Sequence, residues 1–230
     1  MVQGTLYVIG TPIGNLKDIT LRAVEVLQSV DFVVAENRER ALKLLSHLDI
    51  RKPIITINTF SEEGRAAAVA DQLSRGKSAA LITAAGTPSI SDPGDAVVRK
   101  CYEAGLDVRA VPGPSAAIAA LSVSGISPDR FLFYGFLPLK KGKKRKVLKE
   151  ILSGAFAVVL FESPRRIRET LALITEEARD RMIVVCREMT KMHEEVIRGQ
   201  AAEVLEKISA GEARGEYTII VGGAGKQVSS

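Results

Sequence analysis

The stretch Leu81–Gly94, LITAAGTPSISDPG, decides how this chain is read. An apolar run, Ala79 to Ile82, stops abruptly in Ala84, Ala85, Gly86, Thr87 and Pro88. A buried strand that ends in a Gly/Thr/Pro/Ser loop and is followed by a helix is the usual α/β layout. In such folds the loops at the carboxyl ends of parallel strands receive ligands. No large side chain occurs from Ala84 to Ser89, so a ligand there would meet backbone N–H and C=O groups directly. Two further stretches repeat the pattern, Gly10-Thr-Pro-Ile-Gly-Asn15 after one apolar run and Val111-Pro-Gly-Pro-Ser-Ala116 after another. Three loops of this kind, if they converge, would hold one small molecule. Tight turns with no ligand are the plainer reading of the same residues.

Outward from that stretch the chain alternates strand and helix. Strands are expected at 5–9, 32–35, 53–57, 78–82 and 106–111, and helices near 21–27, 42–48, 62–73, 94–103 and 116–123. This order implies a mostly parallel sheet covered on both faces. Gly125-Ile-Ser-Pro-Asp129 is the turn-rich break chosen as the boundary, giving domains 1–124 and 125–230. The second half has strand candidates at 131–136, 157–161, 182–186, 195–198 and 217–221, with helices at 167–178 and 202–208. Their spacing suggests a mixed sheet.

The totals narrow the classes. At 46% apolar residues the composition is ordinary for a globular chain, and no run approaches the roughly 18 apolar residues of a membrane helix. The start, MVQGTLYVIG, has no basic segment before its apolar run and reads as a first strand. Cys101 and Cys186 lie in apolar surroundings and read as two reduced core thiols, with a disulfide as the alternative. His47 and His193 are the only histidines, so no metal site is expected. Charge is concentrated: Lys140 to Lys149, KKGKKRKVLK, holds seven basic residues, and removing them from the net +5 leaves −2. A basic segment on a near-neutral body suits a polyanion, most simply nucleic acid, although a solvated surface loop has the same composition.

Familiar catalytic motifs are missing. Gly10–Gly14 is not the dinucleotide fingerprint, Ala85–Pro88 lacks the ending of a phosphate loop, and no serine sits in a nucleophile elbow. What remains is chemistry by positioning. A methyl sulfonium donor, S-adenosylmethionine, is already activated and needs mainly to be held in line with its acceptor, away from water. Loops of small residues suit that task.

Taken together, GTLYVIGTPIGNLKDITLRAVEVL, AAGTPSISDPG, VPGPSA, SPDRFLFYGFLP, ESPRRI and REMTKMHEEVIRG, in this order from Gly4 to about Gly222, resemble the ribosomal RNA small-subunit methyltransferase I family of the tetrapyrrole methylase superfamily. The resemblance implies two α/β domains with S-adenosylmethionine in a cleft between them, a homodimer, and the bacterial cytoplasm. It implies methylation of the ribose 2′-hydroxyl of a cytidine in 16S ribosomal RNA. By motif position it assigns cofactor contacts to Pro12, Gly86, Thr87, Pro88, Ile90, Ser115, Ala116 and Glu162.

Glu36, at the end of a core strand, is the candidate base for the ribose hydroxyl, with an ion pair to Arg38 or Arg40 as its other reading. Lys140, Lys141, Lys143, Lys144, Arg145 and Lys146, with Arg165 and Arg166, are the candidate RNA-phosphate contacts. Three departures from the family pattern put the acceptor in question. Asn37 and Ala84 stand where the family carries carboxylates, and Asn58-Thr59-Phe60-Ser61 replaces a stretch with two histidines. A tetrapyrrole C-methyltransferase and a non-catalytic RNA-binding relative are the competing readings.

Overall fold

In a computed structural model of the protein, residues 4–57, 62–127 and 129–224 are described. Asn58 to Ser61 therefore lie outside them. The chain folds as two compact units, Met1–Ser115 and Ala116–Ser230. The division falls one helix before the GISPD turn, because α5 (Ala116–Ser124) packs on strands of the second half.

The first unit contains β1 (Thr5–Ile9), α1 (Leu21–Ser29), β2 (Phe32–Ala35), α2 (Arg38–His47), β3 (Ile54–Thr56), α3 (Glu62–Ser74), β4 (Ala79–Ile82), α4 (Asp95–Glu103) and β5 (Asp107–Val111). Its five strands are all parallel, in the order β3-β2-β4-β1-β5. Every residue of β2 and β4 is buried, as expected for inner strands with helices on both faces. Alternation divides them between two cores. Phe32, Val34, Ala79 and Leu81 pack with residues of α3 and α4, while Val33, Ala35, Ala80 and Ile82 pack with residues of α1 and α2. Thr20 caps α1 by accepting from the Ala23 N–H, and Asn37 caps α2 by accepting from the Arg40 N–H.

This strand order positions the loops. β1 lies between β4 and β5, and β2 lies beside β4. The segments leaving the carboxyl ends of β1, β4 and β5, and the charged turn after β2, thus emerge side by side.

The second unit adds to α5 the elements β6 (Phe131–Phe136), α6 (Lys141–Leu152), β7 (Ala157–Glu162), α7 (Ile167–Ala178), β8 (Met182–Arg187), β9 (Glu195–Gln200), α8 (Ala201–Ala210) and β10 (Tyr217–Val221). Its sheet is mixed, in the order β6-β7-β10-β8-β9, with β6 and β7 parallel and the other pairs antiparallel. Leu148 and Leu152 of α6, Ile167, Leu171 and Ile174 of α7, and Val204 and Ile208 of α8 build its main core against Val158, Leu160, Val185 and Ile219.

The basic segment is not a loop: it forms most of α6. Lys144 lies in phase with Leu148 and Leu152 on the buried stripe and is itself fully buried. Cys101 and Cys186 are both free and buried, and burial pushes each thiol up to about 11. Among the described residues no helix is long and apolar enough to cross a membrane.

Candidate active site

In the first unit the three small-residue loops are in direct contact. Thr11 and Gly86 exchange two backbone hydrogen bonds, Thr11 N–H to Gly86 C=O at 2.8 Å and Gly86 N–H to Thr11 C=O at 3.1 Å. The Thr11 hydroxyl lies 3.3 Å from the Thr83 carbonyl and 3.2 Å from that of Gly86. Gly86 has φ +82°, where a side chain is strained. The third loop is joined to the first by close backbone approach. A Cβ at Gly113 would stand 2.5 Å from the Gly10 carbonyl oxygen, and one at Gly10 would stand 2.8 Å from the Gly113 nitrogen. Glycine at both positions lets these two loops touch.

Pro12, Gly86 and Pro88 are buried, Thr87, Ser115 and Ala116 half-buried, and Ile90 exposed. The central loop also carries two non-glycine residues at positive φ, Ser89 at 67° and Ser91 at 65°. Such strain persists only where the surroundings impose it, and it concentrates at functional sites. The buried Ser89 Oγ has no hydrogen-bond partner among the described residues.

Glu36 follows β2 directly, where the β2–β4 pairing carries it beside the central loop. No ion pair forms with Arg38 or Arg40 within 4 Å; the Arg38 guanidinium instead points at the Ile54 carbonyl, 3.5 Å away. Glu36 lies close enough to the Thr83 hydroxyl and to Asp92 for both to act on its carboxyl. Thr83 is buried and donates to Asp92 Oδ2 at 2.8 Å. Burial, reinforced by the charge of Asp92, holds the Glu36 carboxyl above its ordinary value, against the opposing effects of Thr83 and Arg40. Burial likewise raises Asp92, with the Thr83 hydrogen bond opposing it.

Sequence reasoning missed Asp92 because an aspartate before Pro-Gly reads as turn chemistry. Its signal was its presence in the very stretch that decides the fold.

The second unit's predicted residues divide into two groups. The Glu162 side chain is fully buried and accepts three hydrogen bonds, each of 2.7 Å, from the Ser163 N–H, Arg166 Nε and the Thr170 hydroxyl. Arg166 also donates to the Leu137 carbonyl at 3.0 Å. Lys144 Nζ donates to Glu169 at 2.7 Å and lies 3.4 Å from the Thr170 hydroxyl. Lys144 and Arg166 are therefore corrected: their cations hold α6, α7 and the end of β7 together and are not free for phosphate. Arg145 pairs with Glu176. Lys140, Lys141, Lys143, Lys146 and Arg165 are exposed.

A parallel sheet whose loops present small residues and backbone groups, followed by a mixed α/β unit, is a fold found among methyltransferases. A profile described as Tetrapyrrole (Corrin/Porphyrin) Methylases matches residues 5–205. Among solved structures, uroporphyrin-III-C-methyltransferase from Thermus thermophilus aligns with a TM-score of 0.63 at 20% identity, covering 96% of this chain and 94% of that one. Diphthine synthase aligns with a TM-score of 0.70 at 15% identity, covering 95% and 89%. These two are likenesses of fold.

Sequence similarity goes further. The Ribosomal RNA small subunit methyltransferase I of Thermotoga maritima is 40% identical over 221 residues, 96% of this chain and 99% of the relative. That of Bacillus subtilis is 39% identical over 225 residues, 98% and 77% of the two chains. The chain belongs to the ribosomal RNA small subunit methyltransferase I family of the tetrapyrrole methylases, and is a methyltransferase.

Proposed function

We propose that this protein 2′-O-methylates the ribose of a cytidine in 16S ribosomal RNA, using S-adenosylmethionine and acting in the bacterial cytoplasm as a homodimer. The observation that carries the reading is the meeting of the three small-residue loops beside Glu36, Thr83 and Asp92.

The residues present fit the cofactor. Gly10 and Gly113 let the first and third loops close on each other, Gly86 adds a backbone with no side chain, and the buried Ser89 Oγ supplies a polar atom without a partner among the described residues. Pro12, Gly86, Thr87, Pro88 and Ile90, with Ser115 and Ala116, would hold it. When bound, it supplies a methyl group already activated on a sulfonium.

The chain's own part is to position and to move a proton. A ribose hydroxyl is too weak an acid to ionise at neutral pH, so its proton must leave as its oxygen takes the methyl group. Glu36 in its ionised form accepts that proton. Its raised affinity for a proton brings it closer to the operating pH than an ordinary carboxylate. Thr83 holds Asp92 through its hydroxyl, and the charge of Asp92 adds to burial in keeping the Glu36 proton affinity high. The exposed Lys140, Lys141, Lys143, Lys146 and Arg165 bind RNA phosphates, which sets position and affinity and leaves base choice to the loop site of the first unit. The Glu162 carboxylate, fully engaged by its neighbours, is left out of the cofactor set.

The test is incubation of small ribosomal subunits with methyl-labelled S-adenosylmethionine, followed by mass spectrometry of RNA fragments. Label on a single ribose is expected. Label on a base, transfer to a porphyrin precursor only, or RNA binding without turnover would reject the proposal.

A further inference from the structure

A second basic feature of the second unit belongs to neither the loops nor the exposed lysines. It is a groove of about 1130 Å³ at the end of the sheet opposite Glu162, where β6, β7 and β8 begin and β10 ends. Four guanidiniums line it: Arg130 before β6, Arg179 and Arg181 between α7 and β8, and Arg198 on β9. None of the four has a carboxylate within 4 Å among the described residues. Elsewhere in the same unit Arg145, Arg166, Arg187 and Arg214 are ion-paired, while Arg165 and Arg168 have no ion pair among the described residues.

Three of the four lie against a group other than a counter-ion. Arg130 lies over the Phe156 ring, 4.7 Å from its centroid. Arg181 donates to the Gly222 carbonyl at 3.1 Å, and its burial lowers the proton affinity of the guanidinium. Arg198 reaches the turn after α5, where a side chain at Gly125 would meet its Nε at 3.8 Å. β6 and β9 are the two edge strands, so the guanidiniums extend across the whole sheet end. Four strand spacings make that about 19 Å.

The groove is not uniformly basic. Asp129, Glu177 and Asp180 also line it, again without an ion-pair partner among the described residues. Cations and carboxylates that share a groove without neutralising one another suit a ligand that presents both anions and hydrogen-bond donors. A nucleotide chain does so: phosphates accept from guanidiniums, and ribose hydroxyls and base amino groups donate to carboxylates. The exposed Phe156 ring, paired with a guanidinium, is of the kind that stacks on unpaired bases.

One helix separates the groove from the exposed lysines. α6 begins beside the Glu162 end of the sheet, runs twelve residues or about 18 Å, and ends at the groove, where the Ala224 N–H donates to the Gly154 carbonyl.

We propose that this groove is a second RNA-binding surface, holding a single-stranded segment of the substrate RNA by its phosphates and ribose hydroxyls while the target nucleotide occupies the site of the first unit. The inference rests on RNA being the substrate.

The test uses the double variant Arg179→Ala/Arg198→Ala in the full chain, since both side chains are exposed and unpaired and their loss leaves the core intact. Fluorescence anisotropy is measured with a labelled single-stranded RNA of mixed sequence and with the matching DNA, across a salt series. Binding of the RNA is expected to weaken about tenfold, and the dependence of log affinity on log salt to become shallower by about 1.4 for two lost phosphate contacts. The unaltered protein is expected to prefer RNA over DNA. With small subunits, KM for the variant rises and kcat is retained.

Unchanged affinity and salt slope for the protein-free RNA would overturn the proposal. So would a rise in KM for assembled subunits alone, which would assign the groove to a ribosomal protein. The two readings fail separately: unaltered protein that binds RNA through these arginines but methylates none refutes the proposed activity and leaves the groove standing.

Discussion

Replacing Glu162 by glutamine separates a carboxylate that holds the fold from one that holds a cofactor. The side chain is fully buried, and all three of its hydrogen bonds are 2.7 Å long, two of them from Arg166 Nε and the Thr170 hydroxyl. Thr170 is in turn 3.4 Å from the buried Lys144 cation, so one carboxylate is tied to two cations, directly and through a hydroxyl. Glutamine preserves shape but removes the charge opposite Arg166, whose side chain is only 17% exposed. Losing one partner of a buried pair costs about 3 to 5 kcal/mol, and the residual access of water to Arg166 puts this case near 3. For a chain of this size that is a fall of roughly 9 °C in Tm. Calorimetric melting gives the fall, and titration calorimetry with S-adenosylmethionine, well below the transition, gives the binding. The expected result is a lower Tm with cofactor affinity unchanged. A Tm within about 2 °C of the unaltered protein together with lost cofactor binding would refute the structural assignment and return Glu162 to the cofactor set.

The loops and the carboxyl pair make two further predictions. Gly113→Ala puts a methyl group 2.5 Å from the Gly10 carbonyl oxygen, and because both partners are backbone the loops must part. Thermal melting should show a loss of about 2 kcal/mol, with S-adenosylmethionine affinity at least tenfold weaker by calorimetry. Glu36 and Asp92 both bind protons more tightly folded than unfolded, so folded stability falls as pH rises from the ordinary carboxylate range through their raised values. Asp92→Asn removes the charge facing Glu36. Melting across pH should then show a flatter fall and a higher Tm at neutral pH, and the acid limb of the methyl-transfer rate should move to lower pH.

Much of the fold was legible in periodicity. The parallel first sheet follows from apolar runs of four or five residues, each cut off by small residues or charge, and β6, α7 and β10 lie where the pattern put them. The helix over Lys141–Leu152 was not read, because seven cations in ten residues hide the spacing of Leu148 and Leu152. The same density of charge hid Lys144, whose burial depends on Glu169 and Thr170, far away in sequence on α7. Arg166 was misread for a similar reason, since its partners, Glu162 and the Leu137 carbonyl, belong to two other segments.

What the sequence determined by itself was the succession of elements, the three small-residue loops and the family, since each is written in local spacing or in ordered motifs. The tertiary structure alone decided which loops touch and which charges are free. Strand order sets β1 between β4 and β5, and that adjacency brings Gly10, Gly86 and Gly113 together. The pairing of β2 with β4 brings Glu36 to Thr83 and Asp92. A charge is spent on the fold or left for a ligand according to what lies across from it, and in this chain the partner usually comes from a distant segment.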